Sequence, residues 1–328
     1  MANEVDISEN LLLETHPLVL KELLMDHTTQ KNIFWATDSY SHMGEGFNFF
    51  DEITIESITG NNGRVIQPRV VKDATIQTQR VKDKAEVFTP SWMCNAQNNL
   101  IDEKWFGRKD VFNVENIQDH TWYPQIEKIT FPKDKTWKEY VRELRLEVAC
   151  GEGPYLVSRY DSVTGTAIVD LSMRIGILDR KLRIVSENTH TSGEWIKWGK
   201  EALKSTYGFE WQGDNLILAR EAVFYTFCDY YKEKFSKNVP TVSLLSIANI
   251  ISWNIWQMDG LKLVVPSSCE RTYIKTLWGE YEKKECPACK SGEMIGHIGI
   301  KCKIRDWKYT GVKEDKKTPY FSSLLNSR

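Results

Sequence analysis

No run of about eighteen apolar residues, the length a helix needs to cross a bilayer, occurs among the 328 residues of the chain. A helical membrane protein is therefore excluded. Residues 1–14 carry four acids and no base, without the basic region or small-residue cleavage site of a secretory signal, so a cytoplasmic location is expected. Internal repeats and low-complexity tracts are missing too, which sets aside solenoids and disordered scaffolds. An excess of either charge is lacking: 43 Lys plus Arg against 45 Asp plus Glu leave a net charge of −2. That excludes a polycation that coats nucleic acid, but it leaves room for a local basic groove. Seven cysteines, an odd number at irregular spacings, do not make a disulfide framework.

What is present exceeds one average domain, so one sizeable core with small appendages is expected. Over 11–25 the apolar residues Leu12, Leu13, Leu20, Leu23 and Leu24 recur at helical spacing, and Pro17 opens a second helix. Residues 31–40, then Ile53, Ile55, Ile58, Val65 and Ile66, read as strands around an Asn62-Gly63 hairpin turn. These give a small α+β appendage over 1–75. A polar helix-like stretch with interleaved charges follows over 73–84 and reads as a solvated face.

From there the pattern is one of strands alternating with helices, over 76–265 with an insertion at about 161–205. RLEVA is a short strand that runs into a glycine turn, CGEGP; YGFE ends a second; NIWQMDG contains a third. Such alternation predicts a parallel α/β sheet, whose ligands sit at the carboxyl ends of the strands. The glycine turn lets backbone approach a ligand. Glu210, at the end of the second strand, is placed to accept both hydroxyl hydrogens of a ribose. Asp259, after the third, is placed to accept from a purine amine. Glycine turn, acid, acid is the order an adenosyl ligand needs. An α/β protein binding some other adenine nucleotide is a further reading of the same three ends.

The block KAEVFTPSWMCNAQNNLID resembles the F-x-T-P segment that precedes the cofactor domain in gamma-class amino-DNA methyltransferases. LEVACGEGPYLVSRY is similar to their first cofactor motif, with Val148 where proline is usual, and YGFEWQGDNLILAREAVFYTF and NIWQMDGL resemble the second and third. The order of the blocks is that of the gamma class, and the whole chain resembles proteins labelled restriction endonuclease subunit M. The resemblance covers about 82–262 and implies a Rossmann-like class I S-adenosylmethionine-dependent methyltransferase fold, cut short. It implies that Phe88, Thr89 and Pro90 lie beside the methionine part of S-adenosylmethionine. Glu147, Cys150, Gly151 and Gly153 would line the methionine and sulfonium region, Glu210 would hold the ribose and Asp259 the adenine. The implied activity is adenine-N6 methylation of DNA in a restriction or phage-defence system, with base flipping before transfer.

One motif of that family is missing. No (N/D/S)-P-P-(Y/F/W) tetrapeptide occurs, and the nearest substitutes are Asp306-Trp307 in KIRDW, read as a strand end, and Thr318-Pro319-Tyr320. Only 69 residues follow Asp259, too few for the remaining strands and a target-recognition domain, so a partner protein is expected to supply recognition. The alternative is an inactive methyltransferase-fold module that binds cofactor or nucleic acid and works through that partner.

The segment 266–328 is rich in cysteine and lysine. Cys286 and Cys289 form a C-x-x-C knuckle, and His297 and Cys302 complete a four-ligand set for a structural zinc ion on a C-terminal hairpin.

Overall fold

The computed structural model describes residues 8–72, 89–271, 273–275 and 281–325. Phe88 and the whole polar stretch at 73–84 lie outside them. Two short helices, α1 (Glu9–Thr15) and α2 (Pro17–Leu24), lead into a two-residue ladder between β1 (Met25–Asp26) and β2 (Lys31–Asn32). The expected Asn62-Gly63 hairpin is replaced by a helical turn, α3 (Ile55–Ile58), and a 3-10 turn, Gly60–Asn62. Local chemistry decides this: the Thr54 hydroxyl accepts from the Ser57 amide at 3.2 Å, and the Ser57 hydroxyl accepts from the Thr54 amide at 2.9 Å. Such a reciprocal cap fixes a helix start.

Next come α4 (Ser91–Phe106), an antiparallel hairpin of β3 (Asn113–Asn116) and β4 (Thr121–Pro124), and α5 (Trp137–Arg142). The central sheet then begins with β5 (Arg145–Val148). Helices α6 (Ile177–Asn188) and α7 (Ser192–Lys204) lead to β6 (Thr206–Glu210), and α8 (Gly213–Phe235) and α9 (Thr241–Asn254) lead to β7 (Ile255–Gln257). The three strands are parallel in the order β5-β6-β7, with Val148 opposite Phe209 and Glu210 opposite Gln257. The chain is thus mixed α/β with a parallel sheet, as expected of the alternating pattern.

One large core holds the helical layer. Trp35, Trp195, Phe224 and Phe227 are buried in it with Leu12, Leu20, Leu23 and Leu24, so the N-terminal helices share this core with α6 to α9. A second cluster covers the other face of β6 and β7, where Phe209, Trp256 and Met258 meet Leu263, Val265, Cys302 and Ile304 of the C-terminal segment. That cover stops short of β5, whose Leu146 and Val148 are 42% and 68% exposed. Beside β7, the Gln257 carboxamide accepts from the Phe34 amide at 3.1 Å and donates to the Phe34 carbonyl at 2.8 Å, standing in for a further strand. No helix among the described residues is long and apolar enough to cross a membrane.

Candidate cofactor site and metal centre

At the carboxyl end of β5 the chain turns sharply through Ala149, Gly151 and Gly153, all at positive φ (55°, 53° and 80°). The Cys150 amide donates to the Phe209 carbonyl at 2.8 Å, and the Gly153 amide closes the turn on the Cys150 carbonyl at 2.7 Å. This brings the glycine turn over the end of β6. The Glu210 carboxylate accepts there from the Gly151 amide at 2.9 Å and from the Gln212 amide at 3.2 Å. The Met258 amide donates to the Glu210 carbonyl at 2.9 Å, which sets Asp259 beside Glu210. Asp259 accepts on one oxygen from the Leu261 and Lys262 amides at 2.9 and 3.0 Å.

Glu147 is buried below the turn and accepts from the Leu156 amide at 3.1 Å. Thr89 and Pro90 are held against the loop that follows the turn. The Ser162 hydroxyl donates to the Thr89 carbonyl at 2.9 Å, and the Asp161 carboxylate takes the Ser91 amide at 2.7 Å. The described members of the predicted set, Thr89, Pro90, Glu147, Cys150, Gly151, Gly153, Glu210 and Asp259, therefore gather at one edge of the sheet.

Further acids that the motifs did not single out lie at this edge, Asp214 among them in a buried ion pair with Lys72. Asp214, fully buried in the first turn of α8, accepts from Tyr40 Oη at 2.8 Å and from Lys72 Nζ at 3.0 Å. Glu152 accepts from the Arg69 amide at 2.6 Å and from the Tyr160 hydroxyl. Burial pushes the Glu147 carboxyl well up, against the Tyr155 and Leu156 amides, and the Glu210 charge pushes the same way. Burial also raises Glu210, opposed by the Gly151, Gln212 and Trp211 amides and reinforced by Asp214. Carboxyls that resist ionisation together favour a cation between them. Burial and the nearby acids lift the Cys150 thiol as well, so it stays protonated and acts as packing.

Asp306 and Trp307 are not at this edge. The Trp307 indole donates to Asn254 Oδ1 at 2.8 Å, and Asn254 donates to the Leu203 and Thr206 carbonyls at 2.8 and 3.1 Å. Thr206 begins β6 and Glu210 ends it, so the pair sits at the amino end of the sheet, about 13 Å along the strand from Glu210. Asp306 is no strand end: its carboxylate closes a tight turn on the Lys308 and Tyr309 amides at 2.9 and 3.3 Å. Asp306→Ala is expected to leave cofactor affinity unchanged and to alter stability by less than about 0.5 kcal/mol. Titration calorimetry and a melting curve check both.

The metal centre needs one correction. Cys302, expected as a ligand, is fully buried against the sheet with its thiol 3.5 Å from the Gln257 carbonyl. Its place is taken by Cys269, from the 3-10 turn Ser268–Arg271. The Sγ atoms of Cys269, Cys286 and Cys289 and the Nδ1 of His297 lie within 4.8 Å of one another. The three sulfur atoms are 3.6, 3.4 and 3.4 Å from Nδ1. Bonds of about 2.3 Å to sulfur and about 2.0 Å to nitrogen at tetrahedral angles give S···N separations of about 3.5 Å. His297 Nε2 donates to the Glu293 carbonyl at 2.8 Å, which leaves Nδ1 as the ligating atom.

Backbone supports the sulfurs. Burial pushes the Cys286 thiol up, but the Ile298 and Cys289 amides and the His297 ring outweigh it and bring it down to about 6. The Gly299 amide donates to Cys269, and a Cβ at Gly299 would stand 2.9 Å from that sulfur. This Cys3His group can hold a metal ion. A groove of about 640 Å³ beside it is lined in part by Lys301, Lys303 and Tyr320. No family model, curated protein or solved structure matches the chain, so these two sites rest on their own residues.

Proposed function

We propose that the chain binds S-adenosylmethionine across the carboxyl ends of β5, β6 and β7. It would serve as the cofactor module of an adenine-N6 DNA methyltransferase assembly in a restriction or phage-defence system. The observation that carries this is the Gly151–Glu210 hydrogen bond with Asp259 next to it, because it sets glycine turn, first acid and second acid side by side. Three neighbouring strand ends span about 10 Å, the length of an adenosine laid across them.

The charge of the edge selects among adenosyl ligands. S-adenosylmethionine brings a sulfonium and an ammonium to a place where Glu147 and Glu210 are buried together, whereas a triphosphate brings like charge to them. Bound there, the cofactor supplies an electrophilic methyl group. The residues of this chain hold and orient it: Glu210 takes a ribose hydroxyl, Asp259 the adenine amine, and Thr89 and Pro90 border the methionine end. With Asp306 and Trp307 at the far end of the sheet, the groups that accept the target amine's protons and stack the flipped base come from a partner protein. DNA approaches along the C-terminal segment, where 266–328 carry 13 bases against 8 acids and Lys301, Lys303 and Tyr320 line a groove. The Cys3His centre holds zinc in a closed structural site, since all four ligands come from protein.

Calorimetric titration with S-adenosylmethionine and, separately, ATP tests the cofactor reading. Micromolar binding of the first alone is expected, and preference for ATP overturns it. Transfer of labelled methyl to DNA by the chain alone overturns the need for a partner. The pH dependence has a definite sign. Glu147 and Glu210 have folded pKa values above the ordinary 4.5, so their contribution to stability is present below that value and is lost as pH rises through the raised ones. A cationic ligand binds the ionised pair. Affinity is therefore expected to rise with pH over the interval in which the free protein loses stability, and titrations across that interval check it.

A further inference from the structure

We infer that the metal ion at Cys269, Cys286, Cys289 and His297 is the clamp that fixes the turn carrying Asp259. Metal occupancy then sets the shape of the adenine end of the cofactor site; only this last step rests on the cofactor reading.

Among the described residues the lobe around the metal has one small apolar cluster. Its buried apolar cluster is Val264, Cys269, Cys286 and Ala288, with Ile298 packed at the side, and two of the four are ligands. A cluster of that size does not offset the ordering of the segments it joins, and small lobes of this kind depend on a staple. The ligands come from three separate pieces of chain: the 3-10 turn Ser268–Arg271, the start of a short helix α10 (Pro287–Ser291), and the loop that holds His297. One ion bound by all four ties these pieces together.

A run of hydrogen bonds, the first to a serine hydroxyl and the rest between backbone groups, leads from the ligands to Asp259. Next to Cys269, the Ser268 hydroxyl accepts from the Ile300 amide at 3.0 Å, three residues beyond His297. The Ile300 carbonyl takes the Val265 amide at 2.8 Å, and the Leu263 carbonyl takes the Cys302 amide at 3.4 Å. On the other side of this short ladder, the Asp259 amide donates to the Val264 carbonyl at 2.8 Å and the Leu263 amide to the Asp259 carbonyl at 2.7 Å. Residues 259–265 are thus held between the sheet and 300–302, which are tied to the ligand segments at the Ile300 end and to the Phe321 amide, at 2.9 Å, at the Cys302 end.

Cys289 is the exposed member of the set, which gives chelators and ions a way in. The test uses the full chain as purified. Elemental analysis is expected to find about one zinc per chain, and replacement by cobalt to give the visible ligand-field bands of a tetrahedral thiolate site. Cys269→Ser should lower metal affinity by more than about 100-fold, while Cys302→Ser retains the ion. Retention by the first variant and loss by the second would overturn the ligand assignment. Hydrogen exchange with and without a chelator then tests the clamp. The Asp259, Leu263 and Val265 amides are expected to lose protection on metal removal, whereas the Cys150 amide between β5 and β6 keeps it. Unchanged protection of those three amides removes the clamp. A metal-loaded protein that shows the exchange pattern yet binds no S-adenosylmethionine would sink the cofactor reading and leave the clamp standing.

Discussion

Glu210→Gln is expected to weaken S-adenosylmethionine binding by about 10- to 100-fold, the cost of losing about 1.5–3 kcal/mol of charge-assisted hydrogen bonding. The carboxylate already takes three backbone amides, those of Gly151, Gln212 and Trp211, and keeps one lone pair for a ribose hydroxyl. In the amide one oxygen becomes a donor. It faces either the Gly151 or the Gln212 amide, so at least one backbone N–H loses its acceptor. The fold should survive, because a neutral amide carries less burial penalty than a carboxylate whose ionisation is already resisted. Calorimetric titration beside a melting curve separates the two effects. Unchanged affinity with an unchanged melt would remove Glu210 from the site.

Arg220→Met carries the largest expected effect on stability, a loss of about 3–5 kcal/mol. Arg220 lies on α8, fully buried, and its guanidinium holds four carbonyls. It donates from Nε to Ile255 at 2.7 Å, from one terminal nitrogen to Leu23 and Met25 at 2.5 and 3.0 Å, and from the other to Ser252 at 3.1 Å. These carbonyls belong to the end of α2, the start of β1, the last turn of α9 and the first residue of β7. One side chain thus joins the N-terminal helices to the sheet. Burial lowers its pKa to about 10, so it remains charged at neutral pH. Methionine fills similar volume but leaves several buried acceptors without a donor. Against a typical total of about 5–15 kcal/mol, the denaturant midpoint should fall steeply. A midpoint within error of the parent would show that these carbonyls find other donors.

The strands of the central sheet were legible because each is an apolar run ending in a residue with an obvious use. RLEV before a glycine turn, YGFE before a helix and IWQ before Met258-Asp259 all fall where the sequence suggests. Helices α8 and α9 follow from uninterrupted apolar periodicity. Where the reading failed, short-range polar chemistry outweighed apolar spacing. Ile53, Ile55 and Ile58 look alternating, yet the Thr54–Ser57 cap commits them to a helical turn. The β3–β4 hairpin lies in a polar connection and has no apolar alternation; its anchor is the mutual carboxamide pair Asn95–Asn113, at 3.0 and 2.8 Å.

The metal set shows the same limit. Cys302 is near His297 in sequence, but along an extended segment its side chain faces the sheet, away from Lys301 and Lys303. Cys269 stands 17 residues before Cys286, and only the folding back of 263–265 onto 300–302 brings it close. Asp306-Trp307 misled for a related reason: an acid followed by an aromatic marks a strand end only where a strand exists. There the acid serves a turn and the indole caps Asn254.

The bare flank of β5 shapes how the protein behaves in bulk. Leu144, Leu146 and Val148 face outward there, while the charged members of the strand, Arg145 and Glu147, turn inward. Among the described residues the strand has no neighbour on that side. Sheets ordinarily blunt such a flank with an outward lysine, a bulge or a covering helix, because an uncovered one templates further strands. Exposed apolar side chains beside an unpaired edge favour association of copies as concentration rises, whatever the depth of the core behind them.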